Sequence, residues 1–205
     1  MTLLSDIQYF SPIVWYLKLN NISNCIFDPY EPFRKMSFRN RCTLLGPNGP
    51  VNLSIPLIGG RGQKREMKEV RISTTERWQI RHWRTLTSCY NHSPWFEYFR
   101  DELDILYTRP FTFLMDWNLT CFHWVADKMS IPTPISLLSA PLPPDPGSGW
   151  DDWRGYLMPA TLHGNFPVVH RYPQVFEDRF GFVPHLSILD LLFCMGPSAL
   201  QTLQE

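Results

Sequence analysis

No window of this chain approaches the ~18–20 uninterrupted apolar residues that a membrane span requires, so no transmembrane helix is expected. Net charge is missing too, since 19 basic residues offset 19 acidic ones. A neutral total gives no general attraction to nucleic acid or to an anionic membrane, and any anion site has to be local. Cysteine is scarce and scattered. Cys25, Cys42, Cys89, Cys121 and Cys194 are odd in number and include no CxxC, which is neither a disulfide framework nor a zinc ligand set. The histidines His92, His123, His163, His170 and His185 show no HxxxH or HxH spacing, so no metal is expected. A phosphate-cradling GxxxxGK, a GxGxxG opening a helix and a GxSxG elbow are all absent. That disfavours nucleotide hydrolysis by the common routes, dinucleotide redox chemistry and α/β-hydrolase chemistry, and no cofactor is expected. The opening Met1-Thr2-Leu3-Leu4-Ser5-Asp6 has no basic segment followed by a sustained apolar one. It does not read as a secretory signal, and the expected location is the cytoplasm.

What is abundant is core material. The 205 residues are 44% hydrophobic and 15% aromatic, enough for one domain that needs no disulfide or metal. Ser11-Pro12 predicts a helix start, and Cys25-Ile26-Phe27-Asp28 a short buried strand stopped by Pro29. A hairpin is predicted from arms over 38–45 and 51–55. Gly46-Pro47-Asn48-Gly49 turns between them, and Val51, Leu53 and Ile55 alternate with Asn52 and Ser54. The stretch 59–65, with Arg61, Lys64 and Arg65, reads as a basic loop, and 67–72 as a further strand. Helices are predicted over 78–90 (capped by Thr75), 95–106 and 111–129, with a short one at 186–193. Residues 132–149 hold six prolines and predict an extended linker inside the single domain 1–205. Strands first and helices later indicate an α+β fold: an antiparallel hairpin packed against three or four helices, with the C-terminal segment packing back on that core.

The densest polar cluster is 34–42. On a strand, Arg39 and Arg41 share one face and Asn40 and Cys42 the other. Two guanidinium groups so placed either sit on a solvated face or grip a phosphate or carboxylate, with Lys35 adding a charge. On a helix, Trp78, His82, Thr85 and Cys89 form one stripe. His82 is then a general base at an aromatic margin or a structural histidine bonded to a backbone carbonyl. Asn118 falls among Phe111, Met115, Phe122, Val125 and Met129. A buried amide there either fixes a neighbouring loop or lines a site. A Cys42–His82 nucleophile–base pair also stays open.

The ordered set of pieces resembles the WbqC-like family. It comprises Phe33-Arg34-Lys35, Phe38-Arg39-Asn40-Arg41-Cys42, Leu53-Ser54-Ile55-Pro56, Trp78 with His82-Trp83-Arg84, Tyr90 with Ser93-Pro94-Trp95-Phe96, Asn118, Tyr172-Pro173-Gln174-Val175-Phe176 and the run from Leu186 to Phe193. The tail with Gly181-Phe182 is similar to Bacteroidetes versions. The resemblance implies a bacterial cytoplasmic protein tied to O-antigen and other surface polysaccharides (lipopolysaccharide among them), and transfer of an amino-acid or acyl group to an activated amino sugar. A non-catalytic binding or scaffold protein for a polysaccharide enzyme or intermediate is the alternative. The partner implied is a nucleotide-sugar or another anionic small molecule. In that setting His82 is the expected base and Asn40 and Asn118 the expected oxyanion donors. Lys35, Arg39, Arg41, Tyr90, Gln174, Ser187 and Asp190 are the expected substrate contacts. Arg39, Arg41 and His82 are expected to line one pocket.

Overall fold

The computed structural model describes residues 1–19, 22–60, 62–143, 147, 149–166 and 170–203. Arg61 of the basic loop and 144–146 and Ser148 of the proline-rich stretch lie outside them. The chain opens with a strand, β1 (Thr2–Ser5), then helix α1 (Ile13–Leu19) and strand β2 (Asn24–Phe27). β1 and β2 pair in parallel, from Thr2 opposite Asn24 to Ser5 opposite Phe27. Leu3 and Leu4 are both fully buried, as expected for a strand covered on both faces.

Next come the hairpin strands β3 (Arg41–Gly46) and β4 (Gly49–Ser54), with Pro47 and Asn48 at the turn. Leu44 and Leu53 face the core, while Thr43 donates from Oγ1 to Asn52 Oδ1 on the exposed face. Three helices follow: α2 (Trp78–Tyr90), α3 (Phe96–Thr108) and α4 (Leu114–Lys128). Each buries a stripe at helical spacing, such as Phe96, Phe99, Leu103 and Leu106 on α3. Then β5 (Ile135–Leu137) pairs with the outer side of β2, and β6 (Trp150–Asp152) pairs with the other side of β1. The result is a four-stranded parallel sheet in the order β5-β2-β1-β6 beside the two-stranded hairpin. The short helices α5 (Leu162–Asn165) and α6 (Glu177–Phe180) lead to α7 (Ile188–Met195), buried from Ile188 to Cys194. It packs on α1, α3 and β3. A last short helix, α8 (Ala199–Thr202), contacts α7.

The α+β architecture agrees with the expectation, and the hairpin and three central helices fall close to their predicted places. The parallel sheet is the addition. β5 lies inside the stretch expected to be linker. The hairpin's first arm begins at Arg41 instead of 38, because the Phe38 carbonyl is taken by the Tyr9 amide and the Arg39 carbonyl by the Asn118 amide group. The expected strand at 67–72 is a 3-10 turn at Met67–Glu69 followed by isolated bridges at Arg71 and Ile72. Met67 and Val70, three apart, are both fully buried, which that turn satisfies and a strand does not. Thr75 does not cap α2, whose N-cap is Arg77. Among the described residues no helix is long and apolar enough to cross a membrane.

Candidate functional site

In an open parallel sheet, ligands bind beyond the carboxyl ends of the strands, where the strand order reverses. Here the chain goes outward from β1 to β2 and β5, then returns to the opposite side of β1 as β6. Beyond those strand ends lies a cleft of about 400 Å³ lined by Asp28, Tyr30, Glu31, Arg34, Asp152 and Arg154 among others. That volume suits a small ligand. Two carboxylates are the residues next after strands, Asp6 after β1 and Asp28 after β2, and both are buried.

Charged bonds stitch the cleft floor together. Arg154 donates to Asp28 Oδ2 at 2.7 Å and to both carboxylate oxygens of Asp152. Asp6 accepts from the Gly155 amide at 3.0 Å and from Gln8 Nε2 at 3.1 Å. Arg39, fully buried, donates to both oxygens of Glu31, at 3.0 and 2.6 Å, and stands 3.5 Å from Asp6. Burial pulls the Arg39 guanidinium down, but Asp6 and Glu31 outweigh that and hold it above its ordinary value. Burial opposes the ionisation of Asp152 too, yet the bonds from Arg154 hold it below the ordinary carboxylate value. Glu31 goes the other way. Burial first, and the charge of Asp6 second, raise it to about 7 against the pull of Arg39. Four carboxylates surround three guanidinium groups here, and the charges of Asp6 and Asp28 both add to the rise of Glu31. A carboxyl that titrates near neutrality can give or take a proton there.

Arg34 makes no hydrogen bond from its side chain to any described residue, and its charge helps to lower Asp152. It lies against Gly155, where a Cβ would stand 2.4 Å from its Nη1. Gly155 has φ +64°, a left-handed conformation that side chains disfavour. Among the described residues no group of three or more His, Cys, Asp or Glu is placed to hold a metal ion.

Of the residues singled out by sequence, Arg39 joins this network through Glu31 and Asp6, and the others lie elsewhere. Lys35, Asn40 and Arg41 do meet, at a crevice of about 40 Å³, an order of magnitude below a small-molecule site. Asn40 donates from Nδ2 to the Ile55 carbonyl. His82 lies behind that crevice, 1% exposed. Its Nε2 donates to the Ser54 carbonyl at 3.2 Å, so Nδ1 accepts from the Tyr9 hydroxyl at 3.0 Å. Burial pushes His82 down to about 4, and the structural reading of this histidine is the one its bonds fit. Arg39 and Arg41 share no strand face, and Arg39, Arg41 and His82 do not line one cavity, because Arg39 and His82 are turned inward.

Asn118, fully buried, donates to the Arg39 and Ile7 carbonyls and fixes that loop. Tyr90 and Tyr172 donate to the two oxygens of buried Asp190, and Gln174 adds a third bond. Ser187 caps α7 and donates to the Phe10 carbonyl. Cys42 is buried with its thiol pushed up by burial, unsuited to a thiolate nucleophile. Sequence reasoning passed over Asp6, Asp28, Glu31, Asp152 and Arg154. The signal was a repeated pattern: Leu3-Leu4-Ser5-Asp6 and Cys25-Ile26-Phe27-Asp28 are short apolar runs that each end in Asp.

A family model described as the WbqC-like protein family matches residues 8–148, more than half of the chain. It takes in Asp28, Glu31, Arg34 and Arg39, while Asp6, Asp152 and Arg154 lie outside it. No curated protein and no solved structure matches.

Proposed function

This chain belongs to the WbqC-like protein family, and from that premise we propose that it is a cytoplasmic transferase in the synthesis of a bacterial surface polysaccharide. It moves an amino-acid or acyl group onto the amine of an activated amino sugar, in the cleft beyond the parallel strands. The observation that carries this reading is Glu31, a carboxyl on the cleft wall held at about 7. The sugar nitrogen attacks the acyl carbon of an activated donor as the bond to the donor's leaving group breaks. Glu31 takes the proton that the nitrogen sheds. Arg34, whose side chain makes no hydrogen bond among the described residues, receives the anionic part of the substrate.

The test is titration calorimetry with a UDP-linked amino sugar, together with mass spectrometry of that sugar after incubation with thioester and aminoacyl donors. Arg34→Ala should weaken binding roughly tenfold. Glu31→Gln, checked for folding by thermal melting, should bind the sugar yet lose about 10²–10⁴-fold in transfer rate. Absence of binding, or binding indifferent to Arg34, overturns the reading. One observation favours a binding or scaffold role instead: Asp28 and Asp152 are tied to Arg154, and Glu31 to Arg39. On that reading Glu31→Gln leaves function intact.

A further inference from the structure

A second set of three arginines lies away from the strand-end cleft, along the outer face of α2. Arg77, Arg81 and Arg84 line a groove of about 620 Å³ between α2 and the hairpin turn at Pro47 and Asn48. All three are exposed. Arg81 pairs with Glu76, whereas the side chains of Arg77 and Arg84 make no hydrogen bond or ion pair among the described residues, leaving about two uncompensated positive charges. Arg77 and Ile80 also line a second cavity, of about 400 Å³, whose other walls include Trp78, Tyr107, Pro110 and Phe111. The two cavities therefore adjoin, the first lined by three arginines and the second by these aromatic and apolar groups together with Glu76 and Gln79. Ile80, 47% exposed, forms part of the divide.

We infer that this double groove binds an organic diphosphate, with the diphosphate on Arg77, Arg81 and Arg84 and an apolar or aromatic substituent in the adjoining cavity. Guanidinium groups bind phosphate oxygens in pairs, and successive turns of a helix bring such groups to one side. A concave site of this volume suits a small molecule, and the two unpaired arginines with Arg81 beside them face the two to three negative charges of a diphosphate. The inference does not rest on the transferase reading, which uses a different cleft.

The experiment is calorimetry of the whole chain at low salt with three probes: inorganic pyrophosphate, UDP and farnesyl diphosphate. Pyrophosphate should bind, and at least one of the two esters should bind at least tenfold more tightly. The better ester identifies a nucleoside or an isoprenoid source. Arg77→Ala with Arg84→Ala should weaken every probe at least tenfold, while Arg100→Ala, an exposed arginine on α3, should leave them unchanged. Binding that survives the double substitution but falls in Arg34→Ala assigns the anion to the strand-end cleft and overturns the inference. So does an equal loss in Arg100→Ala, which marks non-specific charge, or the absence of binding at millimolar probe. Pyrophosphate binding without gain from either substituent overturns the part played by the apolar cavity.

Discussion

Arg154 Nη1 lies 2.7 Å from Asp28 Oδ2, a bond that reaches from beyond β6 to the end of β2 across the intervening β1. The side chain of Asp28 is 3% exposed and that of Arg154 14%, so little water is at hand to replace the partner. Arg154→Ala leaves the buried Asp28 carboxylate without a counter-ion, with the Tyr30 amide still donating to Oδ1, and should lower stability by about 2–3 kcal/mol, somewhat under the cost for a fully enclosed pair. Arg100→Ala should change it by less than about 0.5 kcal/mol. Denaturant unfolding of both variants checks this, and equal midpoints would remove the bond from the account.

Glu31 and His82 titrate in opposite senses over overlapping pH. Glu31 is raised from 4.5 to about 7. Its contribution to stability is fully present below about 4.5 and lost as pH rises through 7. His82 is lowered from 6.5 to about 4 by burial. Its contribution is present above 6.5 and lost as pH falls through 4. Each variant should unmask one slope. The melting temperature of wild type minus that of Glu31→Gln should fall as pH rises. Wild type minus His82→Gln should rise, each across the interval from about pH 4 to about pH 7. Thermal melts in half-unit steps decide, and parallel profiles for all three proteins would refute the assignment.

Asp190 is the acceptor on which two buried tyrosines converge. Tyr90 donates at 2.8 Å and Tyr172 at 2.6 Å, and Gln174 donates at 3.0 Å. Burial raises the Asp190 carboxyl while those three bonds work against the rise. Asp190→Ala leaves both buried hydroxyl protons without this acceptor, while Leu45 N and Gln174 Nε2 still donate to the hydroxyl oxygens, and should cost about 3–5 kcal/mol. Asp190→Asn keeps one acceptor oxygen and should cost about half as much. Unfolding free energies in the order wild type, Asn, Ala are expected, and a neutral Asp190→Ala would contradict the network's structural role.

The hairpin and the three central helices were legible because their buried positions recur with period 2 or 3.6 over many residues. Leu53 and Ile55 do so on one arm, with Val51 half-buried in the same register, and Phe96, Phe99 and Leu103 on α3. The parallel sheet was not. β1 has four residues and β5 and β6 three each, too few to show a period, and Leu3 and Leu4 are buried on opposite faces. The cleft was illegible for the same reason, since Asp6, Asp28 and Asp152 meet only through that long-range pairing. Asn118 and His82 were visible as polar residues on apolar helix faces. Their partners are the carbonyls of Arg39 and Ser54, and no spacing along the chain reveals a backbone partner.

The C-terminal part should not be separable from the rest. Residues 1–145 lack β6, which pairs with β1, lack Arg154, and lack the buried helix α7 that packs on α1, α3 and β3. Removing Leu189, Leu191 and Leu192 would expose the apolar side chains that α7 covers on α1, α3 and β3, at roughly 1.5–3 kcal/mol per side chain. The 1–145 fragment should be insoluble or should melt without a sharp transition, and a cooperative thermal unfolding of the fragment would establish an independent unit.

Gly155 separates the folding of the cleft from its binding. Its amide holds Asp6 at 3.0 Å and its φ is +64°. Ala at this position strains the backbone by roughly 1–2 kcal/mol. The new methyl would also stand 2.4 Å from Arg34 Nη1. The atom displaced is the end of a flexible, exposed side chain, so Arg34 should swing aside and the chain should stay folded with a modestly lowered melting temperature. If Arg34 binds the anionic part of a sugar nucleotide from its present position, Gly155→Ala should weaken a UDP-linked amino sugar about as much as Arg34→Ala does. The double variant should then be no weaker than either single one, the sign that both act on one interaction. Calorimetry on the three proteins measures that cycle directly. Additive losses would mean that Gly155 acts through Asp6 instead, and an unaltered affinity in Gly155→Ala would detach binding from the position that Arg34 takes over this glycine.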